Sequence, residues 1–341
     1  MTVPPASFRA WQVDQDGRHA MRKVSIDGWP SGSVVLKTCY SSLNYKDALA
    51  ASGHRGVVGS LPHVPGIDVA GVVAASDDAA FQPGDRVFVT GYDFGAPAWG
   101  GWSPWVRVPA DWVCRLPKTI GFPDVMTLGT AGFTAAQCID AIRSQEVSPD
   151  SGEILVTGAS GGVGCLAVIL LSAAGYRVVA ITGKPDQQQW LRRCGAVRVM
   201  GREAICPGQA DAAKPLLRAA WAGAVDTVGG EVLANVLKQV QHRGCVATCG
   251  NVAGTELHTT VFPFILRGLR LIGIDSARCP RGPRDAIWDA LFSPEVQAMI
   301  ADRLQPGLQV VPLERIHEAV GRMLAGNSTG RVIIQTASDL A

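Results

Sequence analysis

The sequence has almost no excess charge and no long hydrophobic run. Each of these two absences argues against one class of protein. Its 341 residues carry 31 basic and 29 acidic side chains, so a net charge of +2 offers no polybasic surface for nucleic acid. The longest apolar stretch, Val163–Tyr176, is shorter than the roughly 20 residues that span a bilayer, and we interpret it as a buried helix. Binding to nucleic acid and insertion into a membrane are therefore not expected.

Cysteine spacing and the amino-terminal residues argue against a secreted disulfide scaffold. The nine cysteines form no Cys-x-x-Cys pair, and an odd number of scattered thiols does not fit a disulfide framework. The first residues, Met1-Thr2-Val3-Pro4-Pro5, lack the basic and apolar regions of a signal peptide. Because reduced thiols are typical of the cytoplasm, we expect a cytoplasmic protein.

Glycine, in contrast, is abundant, with 39 residues in a chain where an average usage of about 7% would give far fewer. The glycines follow no collagen period, so the chain needs many tight turns or close backbone approaches. Hydrophobic residues make up 47% of the chain and charged residues 18%, a balance that can bury a large core. The length suits about two domains of roughly 100–200 residues each.

The pattern of predicted elements changes near Asp124. Before it, short β-branched runs between Pro, Gly and Asp predict an antiparallel β-rich unit; after it, short apolar strands alternate with helices, as in a parallel, doubly wound sheet. The tail repeats strand, helix and strand once, and could fold back onto the first unit. We therefore predict an α/β protein with the parallel sheet in residues 126–299 and the β-rich domain in residues 1–125 with 300–341.

A glycine-rich turn joins a predicted strand to a predicted helix after Glu153. Within it, Gly162-Val163-Gly164-Cys165-Leu166-Ala167 fits the G-x-G-x-x-G/A fingerprint of dinucleotide-binding folds. Glycines let the backbone approach a pyrophosphate, whose charge is met by N–H groups at the helix N-terminus. A glycine-rich turn without a ligand is the alternative. Because the strand and helix context is present, we predict a Rossmann-type nucleotide-binding domain.

The end of the next predicted strand indicates which dinucleotide binds. NAD sites usually carry Asp or Glu about 20 residues after the glycines, but Thr182-Gly183-Lys184 stands there instead. Asp186 lies beyond, after Pro185, and is interpreted as a helix-start residue. Lys184 and Arg202 could meet a 2′-phosphate, and the alternative is that both are solvated loop charges. We predict NADPH as the cofactor.

The N-terminal half lacks the metal ligands of a related group of enzymes. A β-rich domain before a nucleotide domain resembles the medium-chain dehydrogenase/reductase superfamily, whose zinc alcohol dehydrogenases carry Cys-x-x-Asp and Gly-His-Glu in this region. The matching stretches here are Asn44-Tyr45-Lys46-Asp47 and Gly66-Ile67-Asp68. Since Asn44 and Ile67 cannot replace thiolate and imidazole, we expect hydride transfer without a metal, to a polarised double bond or a quinone.

Six stretches, spread nearly from end to end, match one family within that superfamily. They are Ser41–Leu49, Pro65–Gly71, Gly129–Ala135, Thr157–Gly164, Trp221–Gly229 and Pro263–Arg267. Together they resemble the bacterial NADPH-dependent acryloyl-CoA reductases, in the zinc-free quinone-oxidoreductase branch. The resemblance implies a GroES-like catalytic domain beside the Rossmann-type domain, and reduction of the C=C bond of an α,β-unsaturated acyl-CoA.

The same resemblance implies a cofactor site built from several segments of the chain. The pyrophosphate would be bound by Ser160, Gly161, Gly162 and Val163, and the ribose with its 2′-phosphate by Thr182, Gly183, Lys184 and Arg202. Residues near the nicotinamide would be Tyr45, Asn251, Ile265 and Ser276, and Arg331 would reach the cofactor from the tail.

Some positions depart from the family pattern. Lys184 stands where arginine is more frequent, which keeps the charge but weakens bidentate binding of a phosphate. Asn251 replaces a usual leucine. Ser103-Pro104-Trp105 replaces a more usual Ala-Glu pattern and could reshape the substrate mouth.

The reaction that the family implies is 1,4-reduction of acryloyl-CoA to propanoyl-CoA. Hydride reaches the β-carbon, negative charge develops on the thioester oxygen, and hydrogen-bond donors there would lower the barrier. Tyr45 is the candidate that donates the proton or holds a water, and Asn44 could orient the substrate or the cofactor amide. Packing of the Tyr45 ring against the nicotinamide, with no proton role, is equally open.

Other polar residues are given a structural interpretation. Asp47 and Asp68 are expected to satisfy backbone groups at a helix start and a turn rather than to form an acid pair. His63 has no second metal-binding residue at useful spacing. The proline-rich segment with Arg278, Arg281 and Arg284 is interpreted as a loop of solvated charges, with contacts to CoA phosphates as the alternative.

Two other functions stay open, namely a quinone reductase on the same fold and a catalytically silent NADPH-binding protein. A quinone reductase would need no CoA site. A homodimer is expected by analogy, with the apolar strand Leu269–Ile274 at a sheet edge able to pair with its copy.

Overall fold

The chain is seen in a computed structural model that describes residues 4–206, 208, 211 and 213–337. Within these residues it divides into two units. Unit 1 comprises the described residues up to Thr130 and from Gly307 onward, and unit 2 those from Ala131 to Pro306. The unit boundaries, 130/131 and 306/307, each lie a few residues after the domain boundaries proposed from the sequence, 125/126 and 299/300.

Strands outnumber helices in the described part of the chain. The strands are β1 (Ser7–Val13), β2 (His19–Ser25), β3 (Val34–Leu43), β4 (Asp68–Ser76), β5 (Arg86–Thr90), β6 (Trp105–Val108), β7 (Cys114–Arg115), β8 (Glu153–Val156), β9 (Arg177–Ile181), β10 (Ala196–Met200), β11 (Trp221–Asp226), β12 (Val240–Thr248), β13 (Arg270–Gly273), β14 (Leu308–Pro312) and β15 (Arg331–Gln335). The α-helices are α1 (Tyr45–Ala51), α2 (Phe122–Ser144), α3 (Gly162–Ala173), α4 (Gln188–Arg193), α5 (Gly230–Leu237), α6 (Phe262–Arg267), α7 (Arg281–Leu291), α8 (Pro294–Leu304) and α9 (Ile316–Leu324).

Unit 1 is rich in β-structure, as its β-branched runs predicted. Its larger sheet has the order β14-β15-β3-β4-β5-β7, with β6 paired to β3, and β1 and β2 form a separate antiparallel pair that the sequence had not indicated. The predicted return of the tail is confirmed, because β15 runs antiparallel to β3 with Ile334 opposite Ser41. A core cluster that includes Trp11, Leu43 and Trp102 lies in this unit.

Unit 2 contains six parallel strands in the order β10-β9-β8-β11-β12-β13. Counted from β8, this is the 3-2-1-4-5-6 order of a doubly wound dinucleotide-binding sheet, which confirms the predicted fold class. Val178, Val179 and Ala180 on β9 are fully buried, as expected for a parallel strand covered on both faces. The strand order reverses between β8 and β11, and ligands of such folds bind outside the carboxyl ends of the strands at that point.

Helix α2 begins near Asp124, where the sequence pattern changes, and is broken within its length. It runs for 23 residues, and Gly129 interrupts it with φ 50° and ψ −155°. Glycine adopts a positive φ without steric cost, so the residue type at position 129 permits the break. No helix in the described part of the chain has the length and apolar character needed to cross a bilayer.

The interpretation of the segment around Arg281 as a proline-rich loop is wrong, because helix α7 begins at that residue. Pro280 is its N-cap and Pro283 lies in its first turn. The first N–H groups of a helix have no partner within the helix, so proline is tolerated there and pre-sets the helical φ. Proline starts this helix rather than preventing it.

Candidate functional site

In the glycine-rich turn between β8 and α3, Gly158 and Gly164 are more tightly enclosed than Gly161. Gly158 has φ +57°, and a Cβ there would collide with the Thr227 hydroxyl, which follows β11; a Cβ at Gly164 would collide with the Gly158 carbonyl oxygen. At Gly161 an added Cβ would meet only the Gly158 carbonyl oxygen, at 3.3 Å. Gly161 is the N-cap of α3, and glycine has no side chain to cap the first N–H groups. The turn therefore leaves a helix N-terminus open to an anion such as a pyrophosphate.

Hydrogen bonds join the turns that follow β8 and β9. The hydroxyl groups of Ser160 and Thr182, both buried, lie 2.9 Å apart. The backbone N–H of Lys184 donates to Thr182 Oγ1 at 3.1 Å, and that of Ala159 donates to the Ile181 carbonyl at 2.9 Å. The structure thus places Ser160, which the resemblance assigned to the pyrophosphate, next to Thr182, which it assigned to the ribose with its 2′-phosphate.

Two cations converge at the end of β9. A Cβ on Gly183 would lie 2.7 Å from Nε of Arg202, so the guanidinium packs directly on this glycine. Burial lowers the pKa of the Lys184 ammonium; Asp186 raises it, and repulsion from Arg202 lowers it further. Asp186 lies in the short helical turn Pro185–Gln187, as its interpretation as a helix-start residue predicted. A doubly charged phosphate would relieve the repulsion between the cations, so these residues fit a 2′-phosphorylated dinucleotide.

The residues assigned to the nicotinamide half lie around the last two strands of unit 2. Asn251 follows β12 and Ser276 follows β13, so both stand at the carboxyl edge of the sheet. Ile265 lies on α6 and is 66% exposed. The roles of all three stay predictions.

In unit 1, Asn44 is held by hydrogen bonds on both sides of its amide. Its Nδ2 lies 2.8 Å from Asp68 Oδ2 and 2.9 Å from Ser42 Oγ, and its Oδ1 accepts from Nη1 of Arg331 at 3.1 Å. Asn44 is also the N-cap residue of α1, directly before the half-buried Tyr45. The amide therefore has a defined orientation at the start of the helix that carries the candidate proton donor.

Asp47 satisfies backbone groups at a helix start and a turn, as predicted. Its Oδ2 accepts from the N–H of Asn44 at 2.8 Å, and its Oδ1 accepts from those of Gly66 and Ile67 at 3.1 and 2.7 Å. Burial, and then repulsion from Asp68, raise the pKa of Asp47 to about 7.

Asp68 has more partners than the sequence indicated. Ser42 Oγ donates to its Oδ2 at 2.6 Å, the Thr130 N–H donates to the same oxygen at 2.9 Å, and Thr130 Oγ1 donates to Oδ1 at 2.5 Å. Thr130 is the first residue after the break in α2, so a carboxylate lies where a helix restarts and its N–H groups need acceptors. The sequence showed Asp68 within the Gly66-Ile67-Asp68 stretch, but it could not show the partners of this carboxylate, which lie far away along the chain.

Arg331 is 1% exposed and completes the same cluster from the tail. Its Nε donates to the Thr127 carbonyl at 2.7 Å and its Nη2 to the Met126 carbonyl at 3.2 Å, two carbonyls of the last turn before the break in α2. A cation is favourable at the carboxyl end of a helical segment. The guanidinium thus binds protein oxygens of unit 1, and the contact with the cofactor that the resemblance implied stays a prediction.

At the two positions that match the cysteine and histidine of the zinc alcohol dehydrogenases, this chain has the amide of Asn44 and the buried side chain of Ile67, neither of which binds zinc. No three His, Cys, Asp or Glu side chains in the described part of the chain are grouped so that they could hold a metal ion. His63 is fully buried, with Nε2 3.2 Å from the Gly95 carbonyl oxygen, and burial lowers its pKa to about 4.

Arg284 is not a solvated charge, which corrects its interpretation as part of an exposed loop. It is 1% exposed, whereas Arg281 on the same helix is exposed and paired with Asp285 at 2.8 Å. The sequence carried a signal that could have shown this, because Arg284, Ile287, Trp288 and Leu291 have the i, i+3, i+4, i+7 spacing of a buried helix face. A contact between Arg284 and a CoA phosphate does not fit this burial.

Known proteins show the same two-part organisation. Residues 30–118 match the family described as alcohol dehydrogenase GroES-like domain, and residues 162–291 match the family described as zinc-binding dehydrogenase. Acrylyl-CoA reductase AcuI from Ruegeria pomeroyi is 38% identical over 332 residues, which are 96% of this chain and 98% of that protein. Bacillus subtilis YhfP, provisionally named a quinone oxidoreductase, is 39% identical over 334 residues, 96% of this chain and 98% of its own.

Solved structures agree with these matches. Escherichia coli K-12 YhdH, crystallised with NADPH, is 38% identical, with a TM-score of 0.88 over 96% of this chain and 100% of that chain. The YhfP structure with NAD bound has a TM-score of 0.88 over 97% of this chain and 100% of its own. The chain therefore belongs to the medium-chain dehydrogenase/reductase superfamily and, within it, to the family that contains AcuI and YhfP.

Proposed function

We propose that the protein is an NADPH-dependent reductase of α,β-unsaturated acyl-CoA thioesters that converts acryloyl-CoA to propanoyl-CoA without a metal. The observation that carries the proposal is the packing of the Arg202 guanidinium on Gly183, directly before Lys184 and beside an open helix N-terminus, in a chain that is similar to an acrylyl-CoA reductase along 96% of its length. The fold supplies a dinucleotide site, and the two cations select the 2′-phosphorylated form.

NADPH is the cofactor that the residues of unit 2 fit. Ser160 to Val163 would hold the pyrophosphate at the start of α3, while Thr182, Gly183, Lys184 and Arg202 would hold the phosphorylated ribose. The carboxylate that NAD-binding folds place at the end of the second strand is replaced by Thr182-Gly183-Lys184. Although the relative YhfP was crystallised with NAD, these charges favour NADPH in this chain.

Bound NADPH supplies the hydride that reduces the β-carbon of the enoyl thioester. The protein must then provide hydrogen-bond donors for the developing charge on the thioester oxygen and a proton for the α-carbon. The Tyr45 hydroxyl is the proposed source of that proton, directly or through a water that it holds. Asn44 presents Oδ1, whose second lone pair can accept a hydrogen bond from a substrate or cofactor amide, in an orientation fixed by Asp68 and Arg331.

The second candidate is a quinone oxidoreductase, which the name of YhfP favours. Steady-state oxidation of NADPH with acryloyl-CoA, longer enoyl-CoA esters and small quinones distinguishes the two reactions. We expect the highest kcat/KM with a short enoyl-CoA ester. A large preference for quinones would replace the first proposal by the second, and absence of turnover with every acceptor would leave a silent NADPH-binding protein.

The role of Tyr45 is tested by Tyr45→Phe in the same assay. If the hydroxyl delivers or relays the proton, kcat should fall by about 10²–10⁴-fold, the range of general acid catalysis, while NADPH affinity is retained. An unchanged kcat would assign Tyr45 to ring packing alone.

A homodimer is the proposed assembly. Strand β13 is at the edge of the parallel sheet, and Val261, Phe262, Ile265 and Leu266 in and beside α6 expose apolar surface close by in sequence. Pairing of β13 with its copy would satisfy the open edge. Sedimentation equilibrium should give twice the chain mass of 35.9 kDa, and a Leu271→Pro variant, which removes a backbone donor from the strand, should shift it to the monomer.

A further inference from the structure

A fully buried arginine contacts the loop that follows the edge strand β13. The guanidinium of Arg284 donates from Nη2 to the carbonyl oxygens of Ser276 and Ala277, both at 3.0 Å, and from Nε to that of Cys279 at 3.4 Å. Its Cζ lies over the ring of Phe133, 5.0 Å from the centroid. One side chain thus holds three carbonyls within four residues of the loop.

The position is unfavourable for a cation by itself. Removing a guanidinium from water carries a large desolvation cost, and Arg284 lies near the start of α7, where the helix dipole repels positive charge. The three carbonyls and the aromatic face offset that cost. The hydrogen bonds of Arg284 hold the main chain of the loop in one conformation.

The same loop is ordered from its other end by Asp275, whose Oδ1 accepts from the N–H groups of Ala277 and Arg278 at 3.0 and 3.1 Å. Ser276 directly follows Asp275, and its carbonyl is one of the three that Arg284 binds. It stands at the carboxyl edge of the sixth strand in the 3-2-1-4-5-6 order, beyond Asn251 at the edge of the fifth. These strands belong to the second mononucleotide half of such a fold, whereas β8, β9 and β10 form the first.

We propose that Arg284 is a positioning residue of the cofactor site: it sets the main chain at Ser276 so that this loop receives the nicotinamide half of NADPH. The inference rests on the proposed function, because it takes Ser276 as part of the NADPH site. Arg284 acts through the loop and does not touch the cofactor. Its loss should therefore weaken binding of the whole dinucleotide and spare binding of the adenosine half.

The test compares two ligands in Arg284→Met and Arg284→Lys. Calorimetric titration with NADPH should show a dissociation constant about tenfold higher for Arg284→Met, as expected when a group that orders a site is lost. Titration with adenosine 2′,5′-bisphosphate, which lacks the nicotinamide, should give the wild-type value. Arg284→Lys should fall between, because an ammonium keeps the charge but lacks the planar fork that reaches several carbonyls.

Val236→Ala is the matched control for a general loss of stability. Val236 is fully buried on α5 in the same unit and distant in sequence from the loop, so the variant should lower the melting temperature and leave both dissociation constants unchanged. The proposal is wrong if both Arg284 variants bind NADPH like the wild type, or if both ligands weaken equally. If Arg284→Met does not fold, Arg284→Lys decides by the same two titrations. Failure of the wild type to bind either ligand would instead overturn the proposed function.

Discussion

The two units assemble their candidate sites in different ways. In unit 2 the residues come from short turns that follow successive parallel strands, so Ser160, Thr182 and Arg202 are brought to one edge by the order of the strands. In unit 1 the cluster around Asp68 joins four separate stretches: residues 42–47, 66–68, 126–130 and 331. The first kind of site depends on backbone shape and on two cations, the half-buried Lys184 and the exposed Arg202, and the second on buried hydrogen bonds.

The difference has a physical consequence. A helix N-terminus, a glycine turn and two cations that are not fully buried cost little stability to maintain, so changes there should alter affinity more than folding. A buried carboxylate with several donors contributes to the fold, because each donor left without an acceptor carries a desolvation cost. Mutations in the Asp68 cluster should therefore lower stability, whereas mutations in the turns of unit 2 should weaken cofactor binding. We expect the largest effect at the buried carboxylate and the smallest at the glycine turn.

Asp68→Ala should lower the free energy of unfolding by about 4 kcal/mol, because it leaves the donors on Ser42, Asn44 and Thr130 without their acceptor. Asp68→Asn keeps the shape and one acceptor oxygen, and should lose about half as much. Urea unfolding followed by circular dichroism measures both, with the exposed Asp16→Asn as control. A loss below about 1 kcal/mol for Asp68→Ala would remove the contrast between the units.

The stability of unit 1 should depend on pH through His63. Its pKa is about 4 in the folded protein against 6.5 for an ordinary histidine, so the unfolded chain binds more protons between these values. Stability is therefore lost as the pH falls from about 6.5 towards 4, by up to about 3 kcal/mol. Asp47, whose folded pKa is raised to about 7, contributes the opposite slope, with stability lost as the pH rises through that value.

His63→Gln separates the two slopes, since glutamine can still donate to the Gly95 carbonyl and does not titrate. Unfolding curves from pH 4 to 8 should show a smaller acid loss for the variant than for the wild type. If the free energy of unfolding depended on pH in the same way in the variant and the wild type, the pKa of His63 would not differ between the folded and unfolded states.

Arg202→Ala should raise the dissociation constant of NADPH about tenfold and leave that of NADH nearly unchanged, because the lost charge meets only the 2′-phosphate. Lys184→Ala should act in the same direction. Fluorescence titration with the two dinucleotides measures the ratio, and Arg193→Ala, at the end of α4, is the control. Equal weakening of both dinucleotides would show that the two cations do not select the phosphate.

Gly161→Ala should have the smallest effect and act on affinity alone. The added methyl group meets only the Gly158 carbonyl, at 3.3 Å, so the melting temperature should change little. It occupies space beside the helix N-terminus, and NADPH binding should weaken about fivefold, or roughly 1 kcal/mol. Gly321→Ala on α9, where a Cβ meets nothing within 4 Å, is the matched control for affinity. Unchanged NADPH affinity in Gly161→Ala would place the pyrophosphate elsewhere.

Elements with a strong local pattern were predicted well, and elements defined by distant packing were not. Strands β5 and β6 lie in the part of the chain whose short β-branched runs predicted β-structure, and β15 is the second strand of the predicted strand, helix and strand in the tail. The pair β1 and β2 was missed, although Trp11 on β1 packs edge-on against Trp102 at 5.2 Å between ring centroids, a contact across 91 positions of sequence. The burial of Arg284 was missed because a charged residue in a proline-rich stretch was interpreted without its helix periodicity.

The sequence by itself determined the fold class, the dinucleotide turn, the pair of cations after the second and third strands and the absence of zinc ligands at their usual positions. Each of these depends on residues close together in the chain or on the residue type at one place. Only the tertiary structure decided that Asp68, Asn44 and Arg331 share one hydrogen-bond cluster at the break in α2, and that Arg284 holds the loop at Ser276. A buried hydrogen bond needs two groups at about 3 Å, and no local pattern records which distant segments the core brings that close.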